Sequence, residues 1–134
     1  GYPWFGKVIL LSNLTYCPNG SSIYVGGKNI GFLGGSYGPS QYDKFSFNAR
    51  GLRKRHFFHD EVEHLVSKRP LDILVMHDAL DINGNPHISL EIAKKTGAKM
   101  VFSGHNHHFV NAWFDGVEFI QLAKIGKEGD HWII

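Results

Sequence analysis

The apolar positions of this chain fall into short blocks rather than long stripes. Leu71-Asp-Ile-Leu-Val-Met76 follows Pro70 and stops at His77-Asp78, while Val101-Phe102-Ser103 stops at Gly104. Apolar runs this short, bounded by turn residues, read as strands buried on both faces. Between them, Ile88 to Thr96 closed by Gly97 reads as a helix with a glycine cap. Strand, helix, strand in that order predicts a right-handed parallel βαβ unit. Upstream, Ile23–Val25 and Asn29–Leu33 predict a hairpin around Gly26-Gly27, and Val62, Leu65 and Val66 give His59–Lys68 one apolar helical face. Downstream, Phe109–Phe114 and Val117–Leu122 flank Asp115-Gly116, the strongest hairpin signal in the chain. Lys7–Leu11 reads as a further strand, Cys17-Pro-Asn-Gly-Ser as a turn, Gly34–Arg55 as a long loop, and His131–Ile134 as a last, truncated strand.

Two buried strands thus deliver histidines at their carboxyl ends. Ligands of open α/β sheets bind beyond that edge. His77 follows one strand, and Gly104-His105-Asn106-His107-His108 follows the other. In extended backbone, side chains two apart point the same way, so His105 and His107 are expected to converge on one point or on two neighbouring ones. Imidazole is the commonest protein metal ligand near neutral pH. A single histidine in such a place is more often a satisfied core residue. Three on one sheet edge favour a metal site.

These residues resemble the calcineurin-like metallophosphoesterase family. Its late motifs are a lone histidine after a buried strand, here Asp72-Ile-Leu-Val-Met-His77-Asp78, and Gly-His-x-His after the next, here Gly104-His105-Asn106-His107. The segment Ile23–Gly35 and the hairpin after His108 are also similar, so the resemblance runs from about Leu14 to Ile134. It implies an α/β fold in which a sandwich of β-sheets is flanked by helices. It also implies hydrolysis of phosphate mono- or diesters by two divalent ions about 3.5–4 Å apart. Carried over residue by residue, His77 and His105 would bind one ion and His107 the other. Asp78 would orient a ligand histidine. Imidazole ligands point to manganese, iron, zinc or nickel rather than magnesium.

The chain also departs from the family. The early motifs, Asp-x-His, Gly-Asp-x-x-Asp and Gly-Asn-His followed by an acid, do not occur in it. Gly84-Asn85-Pro86-His87 is interrupted by proline, and Asp130-His131 has the wrong spacing. The chain is therefore expected to be the carboxyl-terminal half of such a domain, spanning residues 1–134. The missing amino-terminal half would lie in the same or a partner chain. Alone, the 134 residues are expected to be nearly inactive. Two other readings stay open: a non-catalytic, degenerate module that scaffolds a partner, and a mononuclear three-histidine metal domain.

Composition narrows this only slightly. With 134 residues, 43% of them hydrophobic and 13% aromatic, the chain can build one real core. A net charge of +2 and a pI near 8.7 give no support to nucleic-acid binding. The single cysteine, Cys17, excludes an internal disulfide and suits a reducing, cytoplasmic setting. No apolar run is long enough for a membrane-spanning helix. Gly1-Tyr-Pro-Trp-Phe has no initiating methionine and is not a signal peptide, which suggests a truncated start. In the long loop, Arg50, Arg53 and Arg55 could hold the phosphate of a phosphoester substrate, although a solvated loop is the commoner role for such a cluster. Tyr37, Tyr42 and Phe45 could stack on a base or a sugar, although packing beneath that loop is the commoner role for such residues. His56, His59 and His64 are expected at the surface.

Overall fold

Alternation along the central strands decides which residues face which layer, and the strand register makes the two faces explicit. The computed structural model describes residues 8–46 and 55–134. Six strands form one mixed sheet: β3 (Ser22–Val25), β4 (Lys28–Leu33), β5 (Ile73–Met76), β6 (Met100–Ser103), β7 (Val110–Phe114) and β8 (Val117–Gln121). Their spatial order is β3-β4-β5-β6-β8-β7. The middle four, β4, β5, β6 and β8, run parallel, and the outer strands β3 and β7 are antiparallel hairpin partners. Earlier in the chain, β1 (Val8–Leu11) and β2 (Leu14–Tyr16) form a separate two-stranded ribbon.

Two helices cover one face. α1 (His59–Val66) contacts β4, α2 (Ile88–Thr96) contacts β8, and the helices touch each other. Beneath them Leu33, Leu74, Met76, Val101 and Phe119 are fully or almost fully buried against Val62, Leu65, Ile92 and Ala93. Gly31 lets α1 approach the sheet: a Cβ there would collide with the Leu71 side chain and press on Leu65. α1 starts where the Glu61 carboxylate accepts the Phe58 N–H at 2.9 Å, a reach-back that satisfies one free donor of the first turn. α2 ends on Gly97, whose φ of +84° closes the left-handed cap.

The opposite face carries two cross-strand rows. One is Ile30, Ile73, Met100, Glu118 and Trp113, and the other is Phe32, Val75, Phe102, Ile120 and Asn111. Ile30, Phe32, Val75, Met100 and Phe102 are only half-buried, and Trp113 is 65% exposed. Among the described residues no helix lies on this face. Ile134 reaches a shallow groove there, beside Ile73, Met100 and Trp113.

Two sequence expectations require correction. His131–Ile134 is not a strand. The chain folds back at residues 123–130, where Ala123 N–H donates to the Gly129 carbonyl and Asp130 accepts the Gly126 N–H. Trp132 then stacks on Phe109 instead of extending the sheet. The strand β2 escaped notice because three residues show too little alternation to read. His56, His59 and His64 are half-buried rather than free on the surface. Their ring nitrogens bond the carbonyls of Ser36, Tyr42 and Gly20 at 3.2, 3.0 and 2.9 Å, tying loops to α1 and the segment before it. Tyr37 and Tyr42 pack edge-on to each other, 5.4 Å between ring centroids, and against Phe57 under the loop.

Candidate metal-binding edge

β5 and β6 lie side by side, and their pairing continues one step past both strands: Gly104 N–H donates to the His77 carbonyl at 3.1 Å. That step sets the two histidine-bearing turns at the same height on the carboxyl edge. His77 Nε2 meets His105 Nδ1 at 2.9 Å, with the rings edge-to-face and their centroids 4.9 Å apart. Both residues are exposed.

The backbone that brings them together is not extended. His105 and His107 have φ of +71° and +63°, in the left-handed region. Alternation along a strand therefore does not govern where their rings go, although both line one recess. His105 turns toward His77. His107 lines the same recess, of about 390 Å³, together with Ser103, Lys124 and Asp130. Asp130 accepts bonds from His131 and the Gly126 N–H, and these hold its carboxyl below the usual range.

Two amides, half-buried Asn106 and buried Gln121, clamp this turn. Asn106 Nδ2 donates to the Leu80 carbonyl and to Gln121 Oε1, both at 3.0 Å. Gln121, 1% exposed, donates from Nε2 to the His108 carbonyl at 2.9 Å. Asn106 ties this turn to the segments on either side. It locks residues 104–108 between the loop after β5 and the end of β8, so two left-handed histidines persist. Nothing in the sequence pattern marked Gln121, because a glutamine in an apolar strand looks like a solvent-facing position. The His108 ring bonds the neighbouring Asn106 carbonyl, Nδ1 to O at 3.0 Å.

Asp78 lies with His87, 3.8 Å from Oδ1 to Nε2, not against His77. Arg55 is exposed, and Arg50 and Arg53 fall outside the described residues.

Two imidazoles on one tetrahedral ion sit about 3.3 Å apart. The His77–His105 pair would open slightly and exchange its shared proton for a metal. Among the described residues no third histidine, cysteine, aspartate or glutamate joins them closely enough to hold a metal. The residues present therefore offer two donors to one ion and do not by themselves fit a two-metal centre.

No family model and no curated protein matches the chain. Among solved structures it is similar to a "Putative 5'-Nucleotidase" from Staphylococcus aureus, solved in complex with alpha-ketoglutarate, at 17% identity and a TM-score of 0.37. The match covers 77% of this chain and 23% of that one, so the chain spans under a quarter of that protein's length.

Proposed function

We propose that the chain is the carboxyl-terminal half of a divalent-metal-dependent phosphoesterase. The observation that carries this reading is the meeting of His77 and His105 at 2.9 Å on the carboxyl edge of two parallel strands. The pair would give one ion two nitrogens. His107, on the wall of the same recess, would serve a second ion. The carboxylates that must bridge and complete such a centre would come from outside these 134 residues, in the same or a partner chain. The half-buried rows of Phe32, Val75 and Phe102 and of Ile30 and Met100 offer a face on which the remainder would pack. The mononuclear three-histidine reading has less support, because His107 does not join the pair.

Zinc titration by calorimetry, paired with hydrolysis of bis(p-nitrophenyl) phosphate, tests this. The chain should bind zinc weakly through His77 and His105 and turn over little substrate. His105→Ala should abolish the zinc signal. Fast metal-dependent turnover by the chain alone would refute the half-site, and zinc binding undiminished in His105→Ala would refute the metal edge.

A further inference from the structure

Two recesses meet at His105, and their chemistry differs. The one that holds His107 opens beside Val75 and Phe102. The other, of about 430 Å³, is lined by Tyr37, Asp78, Asp81, His87, His105 and Asn106. Within it the rings of Tyr37 and His87 lie within 20° of parallel, 6.4 Å between centroids. Asp81 is already committed, its Oδ1 accepting the N–H groups of Asn83 and Asn85. Asn106 is committed to the clamp. Asp78 is not: its Oδ1 lies 3.8 Å from His87 Nε2, too far for a hydrogen bond. His87 contributes its ring face, its Nδ1 being buried out of reach of the recess.

The lining thus combines an aromatic face and a carboxylate with no hydrogen-bond partner of its own. Among the described residues it is lined by two carboxylates and by no lysine or arginine. Those two carboxylates disfavour a second phosphate. It suits a neutral group that lays C–H bonds on a ring and donates hydroxyl protons to the carboxylate. We propose that this recess seats the alcohol portion of the phosphoester, and that this portion is polyhydroxylated and sugar-like. Tyr37 and His87 are then specificity-determining residues. The proposal rests on the phosphoesterase reading for one link only: His105, common to both recesses, marks where phosphate and alcohol would join.

The test titrates the full chain, in zinc-containing buffer, with glucose 6-phosphate, glucose, phosphocholine and inorganic phosphate, following the ring signals of Tyr37, His87 and His105 by NMR. Glucose 6-phosphate should move Tyr37 and His87, whereas inorganic phosphate should move His105 alone. Tyr37→Leu should weaken glucose 6-phosphate at least tenfold and leave phosphate affinity within twofold. His87→Gln lies outside the Tyr37–Tyr42–Phe57 cluster and should weaken it about as much, so a folding defect in the tyrosine variant does not spoil the test. If glucose 6-phosphate leaves both rings unmoved, or phosphocholine binds more tightly, the sugar-like site is wrong. If glucose moves Tyr37 and His87 while phosphate never reaches His105, the phosphoesterase reading falls and the polyol site stands.

Discussion

At the scale of single residues, buried polar groups set the terms. Glu61 is 7% exposed, and burial, followed by the nearby Asp60 charge, pushes its carboxyl up to about 7 despite the Phe58 N–H and Asn19 bonds that favour the anion. A raised carboxyl binds its proton more tightly in the folded state. Its stabilising effect is therefore complete below the unfolded value near 4.5 and is lost as pH rises through about 7. The full span corresponds to about 3 kcal/mol. Urea midpoints measured from pH 4 to 8 should fall across that window, and Glu61→Gln, which keeps an acceptor for Phe58, should flatten the fall. A steady midpoint in the parent protein would contradict this. Half-buried Asn106 acts through a buried partner, Gln121. Asn106→Ala strands the buried Gln121 Oε1 and frees the Leu80 carbonyl, at a cost of about 1–3 kcal/mol. It should also broaden the NMR signals of His105 and His107. His108→Ala removes a ring that bonds its own turn, at the Asn106 carbonyl, and should change the urea midpoint hardly at all.

At the scale of elements, close approach and capping decide how the helices sit. Gly31→Val would force Leu71 and Leu65 away from β4, an overpacking that costs about 1–3 kcal/mol. Thermal unfolding should show a clear loss, and an unchanged midpoint would mean that α1 can slide outward freely. Gly97→Ala is expected to cost less, about 1 kcal/mol, from its positive φ and the tight approach to Pro70. The βαβ unit and both hairpins of the large sheet lie where the hydrophobic pattern puts them. Asp115-Gly116, at φ of +48° and +80°, is the left-handed pair that its sequence advertises. The terminal segment followed a different rule. Its apolar residues look like a strand, but Gly126 and Gly129 turn the chain back and Trp132 finds Phe109 first.

For the whole molecule, the asymmetry between the faces of the sheet matters most. One face is sealed by α1 and α2. The other keeps half-buried Phe32, Val75, Met100 and Phe102 beside an exposed Trp113. Apolar surface of this kind marks association. Light scattering on the purified chain should report dimers or larger species, and Phe102→Glu together with Met100→Lys should shift it to monomer. A parent chain that is already monomeric at high concentration would remove the apolar face from consideration as a docking surface.

Sequence alone determined the elements with strong local signals. Buried strands ending at His77 and Gly104, a helix closed by Gly97 and a hairpin at Asp115-Gly116 each depend on neighbours within a few residues, so periodicity and turn chemistry suffice to read them. It also placed three histidines on one sheet edge, because parallel βαβ connection fixes which strand ends share an edge. Tertiary structure decided what those histidines do. The pairing of β5 with β6 brings His77 to His105, and the Asn106–Gln121 clamp holds the left-handed turn that carries His105 and His107. The pairing of Tyr37 with His87 likewise joins a loop residue to the start of a helix 50 positions later. Such contacts depend on distances between segments remote in sequence, which the pattern of residues along a single chain does not encode locally.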